Sequence, residues 1–389
     1  MTTPTTSTMR PIQMVDLKAQ YQAIKTEVNE AILACIESGA FINGPQVKSF
    51  KANLENYLGV HTVIPCANGT DALQIALMAL DLQPGDEVIV PTFTYVATAE
   101  VIGLLGLIPV MVDVDPDTFN TTAALIEPGI TDKTKAIVPV HLFGQSADME
   151  AILALAAKHN LYVIEDNAQA IGADYTFSDG RTQKTGTLGH IGCTSFYPSK
   201  NLGAYGDGGA IFTNDEALGK RLQMIASHGQ NKRYYHECIG VNSRLDSIQA
   251  AVLDIKLARL DDYAKARQAV AAHYDQAFAN VDAIQIPTRS PKSTHVFHQY
   301  TLQVPADKRD ALKAYLQEHG IPSMIYYPVP LDEQNAFKDI AKTNHQTFPV
   351  TQQLCKTVLS LPIHTEMDEQ QLNHISTTIS SFFNESIDS

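Results

Sequence analysis

The feature that most constrains this chain is a repeated alternation between short β-rich runs and longer stretches with helical spacing. Strands that are separated by helices in this way pair in parallel, and the helices then cover both faces of the sheet. The sequence therefore predicts an α/β fold with a large, mostly parallel sheet. The β-rich runs are 87–90, 109–114, 136–140, 161–164, 193–196 and 210–213.

Polar residues follow several of these runs directly. In open α/β sheets, ligands bind just beyond the carboxyl ends of the strands. We therefore expect the chemistry of this protein to lie among the polar side chains at these positions. They are Thr92, Asp113, His141, Asp166 and Ser195.

The later part of the chain predicts a second unit. Residues 241–286 contain neither glycine nor proline, and apolar residues recur there at helical spacing, so we expect long helices that lead out of the large domain. The predicted parts are a flexible N-terminal tail (1–11), a large domain (12–262) and a smaller C-terminal α/β domain (263–389).

Charge and composition exclude several classes of partner. The net charge is −14, which argues against nucleic acid or an anionic membrane surface as the main partner. The longest apolar run, 101–112, is shorter than the roughly 20 residues of a membrane helix and contains Pro109.

The cysteines and the N-terminus predict a cytoplasmic location. Five scattered cysteines without a C-x-x-C pair predict neither a disulfide framework nor a zinc site. The first eight residues lack the basic start and apolar core of a signal peptide, so we expect a flexible tail, with Met9 as a second candidate start.

Lys200 stands among turn-forming residues after a predicted strand. A Pro-Ser step precedes it, and the glycines that follow let the backbone bend tightly and approach a ligand closely. The alternative is an ordinary surface lysine in a glycine-rich loop. The glycines are Gly203, Gly206, Gly208 and Gly209.

A second candidate is the turn at Gly69-Thr70, which leads directly into an apolar helical pattern. Free backbone N–H groups and the positive end of the helix dipole make such a turn suitable for binding an anion. The alternative is that Thr70 or Asp71 only caps the helix.

The carboxylate of Asp166 is predicted at the end of a buried strand, where it needs a cationic or donor partner. Metal binding together with Glu165 is one solution, although no further ligand stands at suitable spacing. A protonated pyridine nitrogen is another. Pyridoxal phosphate requires a lysine, an acid, an aromatic face and a phosphate site. The chain offers Lys200, Asp166, Tyr95, and Gly69-Thr70 with Ser195.

Four motifs resemble the DegT/DnrJ/StrS family of sugar-nucleotide aminotransferases, and the resemblance extends from Ile12 to about His364. Two further segments, 93–100 and 228–234, resemble members that aminate a 3-keto glucuronate nucleotide for bacterial O-antigen synthesis. The motifs are residues 68–73 (NGTDAL), 165–169 (EDNAQ), 195–200 (SFYPSK) and 240–245 (GVNSRL).

The resemblance implies a fold-type I enzyme that uses pyridoxal 5'-phosphate to move the amino group of glutamate to a keto sugar nucleotide. It implies a homodimer with shared active sites. Lys200 would anchor the cofactor and carry protons, and Asp166 would hold its ring nitrogen. The other implied contacts are Gln169 and Tyr95 at the ring, and Gly69, Thr70, Ser195 and the partner's Asn242 at the phosphate.

The resemblance also implies that Arg244 meets the carboxylate of the amino donor or of a uronate; the alternative is a salt bridge at a helix start. Tyr326 would face the sugar, although the subgroup tends to have histidine there, and Asp332 stands where the wider family often has histidine. Other 3-keto or 4-keto nucleotide sugars are therefore alternative substrates.

Two rival functions have weaker support in the sequence. A nucleotide-dependent oxidoreductase would need its glycine fingerprint between a strand and a helix, whereas residues 206–209 precede a strand. A silent sugar-nucleotide-binding protein would be expected to lack Lys200 or Asp166, and this chain has both.

Overall fold

A computed structural model describes residues 9–343 and 346–385 of the chain. Residues 1–8 of the predicted tail lie outside this part. The described residues form helices α1 (Leu17–Ser38), α2 (Pro45–Leu58), α3 (Gly69–Ala79), α4 (Ala97–Leu104), α5 (Ala123–Ile126), α6 (Met149–His159), α7 (Glu216–Ala226), α8 (Ser247–Leu257), α9 (Leu260–Phe278), α10 (Ala306–Glu318), α11 (Pro349–Thr357) and α12 (Glu369–Glu385).

The strands form one large sheet and several two-stranded sheets. They are β1 (Thr62–Cys66), β2 (Glu87–Pro91), β3 (Ile108–Val112), β4 (Thr134–Ile137), β5 (Tyr162–Asp166), β6 (Asp174–Thr176), β7 (Thr182–Lys184), β8 (Ile191–Ser195), β9 (Gly209–Thr213), β10 (Gln230–Lys232), β11 (Tyr235–His236), β12 (Tyr300–Gln303) and β13 (Val358–Leu361).

The large sheet has seven strands in the order β1-β9-β8-β5-β4-β2-β3. β9 runs antiparallel to both of its neighbours, and the pairs from β8 to β3 are parallel. The six predicted runs correspond to β2, β3, β4, β5, β8 and β9, which confirms the expected α/β fold with a mostly parallel sheet.

Alternate residues of the strands pack on opposite faces, as the pleat requires. Val88 and Val90 belong to the apolar cluster that includes α3, α4 and α7. Ile89 between them belongs to the cluster of α6 on the other face. Because both faces are covered, the strands are nearly continuous in apolar residues.

The first helix shows how local sequence sets the bounds of an element. The Asp16 carboxylate accepts a hydrogen bond from the Ala19 amide at 2.9 Å and caps the start of α1. Gly39 follows the last turn with a φ of 65°, and its N–H bonds to the Ile36 carbonyl. Apolar residues at steps of three and four between Asp16 and Ser38 predict one helix that ends at Gly39, and the structure confirms it.

The C-terminal part forms its own apolar cluster, which includes α9, α12 and the antiparallel pair β12–β13. The C-terminal part also contacts the large sheet, since Asp113, which directly follows β3, accepts a hydrogen bond from the Thr351 amide in the first turn of α11. The predicted boundary at residue 262 falls in the first turn of α9, and it stays a prediction. Among the described residues, no helix combines the length and the apolar character that crossing a membrane requires.

Candidate active site

Lys200 lies in a closed turn that follows β8. Its amide donates to the Tyr197 carbonyl at 2.8 Å, and the Phe196 amide donates to the Gly208 carbonyl at 2.7 Å. Lys200 is partly buried, whereas an ordinary surface lysine is exposed. Burial lowers the pKa of its amine to about 8, and the charge of Asp166 opposes this shift.

Asp166 ends β5, and β8 is the neighbouring strand. Its side chain is buried, with one oxygen accepting from the Thr98 hydroxyl at 2.7 Å and the other from the Ala168 amide at 3.1 Å. A carboxylate has about four acceptor positions, so Asp166 keeps the capacity to accept a further donor.

Glu165, one residue earlier, is occupied differently. Its two oxygens contact the ring Nε2 of His141 at 2.8 Å and the backbone amides of a loop. These amides, with their distances, are Gly186 (2.8 Å), Leu188 (2.7 Å) and Gly189 (2.6 Å). Because protein donors occupy both oxygens, Glu165 is not free to bind a metal with Asp166, and it stabilises the loop instead.

The turn before α3 lies against Ser195. The helix cap is Asn68, whose Oδ1 accepts from the Asp71 amide at 2.8 Å, so the alternative that Thr70 or Asp71 is the cap was wrong. In the described part of the chain, the amides of Gly69 and Thr70 have no hydrogen-bond acceptor. A β-carbon on Gly69 would lie 2.7 Å from the Ser195 Cβ, so only glycine allows this approach.

Gln169 and Tyr95 both adjoin a tyrosine that the sequence analysis missed, Tyr327. Gln169 accepts from the Phe143 amide at 2.7 Å and donates to the Tyr327 hydroxyl at 3.2 Å. The Tyr95 ring is 58% exposed, and its centroid lies 6.4 Å from that of Tyr327. Tyr327 therefore lies next to both residues, and most of the Tyr95 ring surface stays exposed.

Tyr326 is partly buried, and its ring centroid lies 5.9 Å from that of Tyr327. Tyr327 rather than Tyr326 thus makes the hydrogen bond to Gln169. The expected contact of Tyr326 with the sugar stays a prediction.

The predicted phosphate contact Asn242 and the predicted substrate contact Arg244 flank Ser243, whose hydroxyl accepts from the Ala67 amide at 3.0 Å. The segment therefore lies beside the Gly69 turn of its own chain. Asn242 is exposed and Arg244 partly buried. Arg244 forms no ion pair with any residue that the structure describes, so the alternative of a helix-start salt bridge was wrong.

Two further side chains near Lys200 were missed. Thr98 donates to Asp166 across 68 residues of sequence, so no local spacing indicated this contact. His298 is 5% exposed, and its Nδ1 has no hydrogen-bond partner among the described residues. Burial, together with the charges of Lys200 and Arg267, holds the pKa of His298 well below its usual value.

These residues fit pyridoxal phosphate. The amine of Lys200 and the buried carboxylate of Asp166 are close enough to interact electrostatically. The unpartnered amides at Gly69 and Thr70 match a phosphate, and the close approach of Gly69 to Ser195 brings a hydroxyl to the same place.

A model of the DegT/DnrJ/EryC1/StrS aminotransferase family matches residues 22–380. The chain is 44% identical to the UDP-2-acetamido-2-deoxy-3-oxo-D-glucuronate aminotransferase of Pseudomonas aeruginosa, over 95% of this chain and 100% of the relative. It is 45% identical to the UDP-N-acetyl-3-dehydro-α-D-glucosamine 3-aminotransferase of Acidithiobacillus ferrooxidans, over 95% of this chain and 97% of the relative.

The fold also matches a solved structure that contains a cofactor. The structure of NtdA from Bacillus subtilis with bound cofactor PMP superposes with a TM-score of 0.89 at 28% identity, covering 97% of this chain and 86% of that one.

Proposed function

Since the chain belongs to the DegT/DnrJ/EryC1/StrS family of pyridoxal-phosphate-dependent sugar aminotransferases, we propose that it transfers the amino group of glutamate to a 3-keto UDP sugar. The substrate proposed first is UDP-2-acetamido-2-deoxy-3-oxo-glucuronate, for a bacterial surface polysaccharide such as O-antigen. The observation that carries the proposal is the amine of Lys200, which interacts electrostatically with Asp166 and follows Ser195, the residue against which the Gly69 turn packs.

The chemistry divides between the cofactor and the chain. When bound, pyridoxal phosphate supplies an electron sink for the carbon that loses its proton. Lys200 anchors the cofactor and then carries the proton, a task for which a pKa of about 8 is suited near neutral pH.

The remaining site residues bind and orient. Asp166 would accept a hydrogen bond from the protonated ring nitrogen of the cofactor and so favour the charged form of that nitrogen. Gly69, Thr70 and Ser195 hold the phosphate, and Gln169 and Tyr95 lie against the ring. Each of these roles agrees with the contacts of that residue, since all of them keep free donors, acceptors or ring surface.

The choice of sugar rests on Arg244. The two relatives named above act on UDP sugars with a 3-keto carbon, but one sugar is a uronate with a carboxylate and the other is not. A partly buried guanidinium without an ion-pair partner among the described residues favours the carboxylate. Tyr326 would contact the same sugar.

The test is a substrate comparison. The purified protein is incubated with glutamate and either the 3-keto uronate or the 3-keto N-acetylglucosamine nucleotide, and 2-oxoglutarate and amino sugar are measured. We expect turnover with the uronate to exceed that with the neutral sugar, and Arg244→Gln to reduce this preference. Lys200→Ala should abolish turnover with both. Turnover by Lys200→Ala, or none by the parent protein with any keto nucleotide, would contradict the proposal.

Other keto nucleotides, including 4-keto sugars with UDP, dTDP or GDP, are the alternative substrates, and a panel of them belongs in the same assay. The remaining rival is a silent sugar-nucleotide-binding protein. It would show no visible absorbance of a bound cofactor that borohydride could bleach.

We also propose that the protein works in the cytoplasm as a homodimer in which Asn242 and Arg244 serve the partner's site. This arrangement is supported by the exposure of Asn242 and by the fact that Arg244 forms no ion pair with a described residue. Mixing inactive Lys200→Ala chains with inactive Asn242→Ala/Arg244→Ala chains should restore activity in mixed dimers. Mixed dimers without activity would assign both residues to the site of their own subunit, where Ser243 already bonds to Ala67 beside the Gly69 turn.

A further inference from the structure

Lys256 is a second buried lysine behind the Lys200 turn. It lies in α8 and is 1% exposed. Its ammonium donates to the Gly203 carbonyl at 2.8 Å and lies 4.5 Å from the centre of the Tyr205 ring. No carboxylate among the described residues pairs with it. Both of its contacts are therefore in the loop that carries Lys200.

Gly203 transmits this contact to Lys200. A β-carbon on Gly203 would lie 2.2 Å from the Pro198 carbonyl oxygen and 3.1 Å from that of Lys200. Gly203 therefore packs closely against the backbone of both Pro198 and Lys200. Any displacement of the Gly203 carbonyl would move the backbone of Lys200 with it.

Gln249 holds the same loop from one position further along. Its Oε1 accepts from the Tyr205 amide at 2.8 Å, and its Nε2 donates to the Tyr205 carbonyl at 3.4 Å. Gln249 and Lys256 are seven residues apart, which is about two helical turns, so they lie on one face of α8. The loop is thus fixed to a rigid helix at Gly203 and Tyr205.

A buried ammonium without an acid is a costly way to fill space, since an apolar side chain of similar volume would often be as stable or more stable. Burial lowers the pKa of Lys256 to about 8. The cost is consistent with a role that an apolar side chain lacks, namely donation to a carbonyl and a cation–π contact with the loop.

We propose that Lys256 is a positioning residue, which fixes the Lys200 turn through the Gly203 carbonyl and so keeps the Lys200 amine directed toward Asp166. This inference rests on the proposed function of Lys200. It predicts that loss of Lys256 loosens cofactor binding and changes the titration of Lys200 while the fold persists.

The test compares Lys256→Met with a matched control, Lys184→Met. Lys184 also donates to a backbone carbonyl, that of Gly172 at 3.2 Å, and lies 5.2 Å from the centre of the Tyr57 ring. It differs in pairing with Asp174 and in making no contact with the Lys200 loop. The measurements are the affinity of cofactor-free protein for pyridoxal phosphate, the pH midpoint of their recombination, and thermal unfolding.

We expect Lys256→Met to lower cofactor affinity roughly tenfold, as loss of one charge-assisted hydrogen bond implies. The recombination midpoint should rise above its parental value, because a less confined Lys200 amine is better solvated. Lys256→Arg, which keeps a charged donor, should recover part of both changes, and Lys184→Met should show neither.

Parental affinity and midpoint in folded Lys256→Met would overturn the inference. If that variant does not fold, Gln249→Leu gives the second test, because it breaks the Tyr205 contacts without removing a buried charge, and parental values there would also overturn it. A parent protein that fails to bind pyridoxal phosphate would instead overturn the proposed function.

Discussion

Asp113 and Asp166 stand at the carboxyl edge of the same sheet and are equally buried, at 5% and 6% exposure, yet their surroundings differ. Asp113 accepts four hydrogen bonds, from the amides of Val114, Val350 and Thr351 and from the Thr351 hydroxyl. Asp166 accepts two. The first acid is saturated by protein donors, and the second keeps capacity for a ligand.

The difference extends to the regions around the two acids. At the end of β2, next to β3, the Thr92 hydroxyl donates to Asp332 at 2.6 Å. This region, the anchoring edge of Thr92 and Asp113, therefore joins the large sheet to the C-terminal part. The open edge is the region of Asp166 and Ser195. There the Lys200 amine interacts electrostatically with Asp166. Position at a strand end thus does not identify chemistry by itself, but unsaturated polar groups at that position do.

The largest expected effect comes from replacing each of the two acids by a neutral amide. Asp166→Asn should lower kcat by about 100-fold or more, since a lost charge-assisted hydrogen bond costs roughly 1.5–3 kcal/mol and a neutral amide cannot keep the ring nitrogen protonated. Asp113→Asn should instead lower the free energy of unfolding by about 1–3 kcal/mol, with kcat of the folded protein kept.

Steady-state turnover and urea unfolding of both variants decide this prediction. A large loss of stability in Asp166→Asn, with turnover of the folded fraction unchanged, would make Asp166 structural and remove the contrast between the two edges.

The second prediction uses pH to examine the open edge alone. Only the neutral amine of Lys200 can bond covalently to the cofactor, and its pKa lies at about 8. The rate at which cofactor-free protein regains visible absorbance with pyridoxal phosphate should therefore rise about tenfold between roughly pH 7 and 9 and then level off. An ordinary lysine would instead show a rise that continues through about pH 10.

Stopped-flow absorbance measures this rate, and Lys200→Ala, which should give no covalent signal, is its control. A rate that still climbs steadily above pH 9 would show that the open edge does not perturb Lys200.

Local patterns predicted much of this structure because the information they carry is local. The alternation of β-rich runs with stretches of helical spacing identified the strands. Asp16 and Gly39 mark the bounds of α1 through contacts with residues close in sequence. The same reasoning placed Asp166 and Lys200 at strand ends. Their proximity followed from the rule that parallel strands end at one edge.

The missed features depend on contacts between distant segments. The bond from Thr98 to Asp166 spans 68 residues and that from Gln169 to Tyr327 spans 158, so no spacing in the sequence reports them. The helix cap was assigned to Thr70 or Asp71 rather than to Asn68 because all three residue types favour caps or helix starts. Lys256 looked like an ordinary helix residue, since burial depends on the packing of α8.

The smallest expected effect comes from removing one threonine hydroxyl at each of the two edges. Thr98 donates to Asp166 at 2.7 Å and Thr351 to Asp113 at 2.6 Å, and all four side chains are buried. Thr98→Val removes one of the two hydrogen-bond donors that fix the Asp166 carboxylate, so turnover should fall roughly fivefold, the equivalent of about 1 kcal/mol.

Thr351→Val removes an equivalent hydroxyl at the anchoring edge, where three backbone amides still bond to Asp113. It should lower the free energy of unfolding by about 1 kcal/mol and leave kcat at its parental value. Steady-state turnover and urea unfolding of both variants make the comparison. If the two valine variants lose stability alike and neither alters kcat, then the Thr98 hydroxyl supports the fold as Thr351 does, and the contrast between the edges would lie in Lys200 alone.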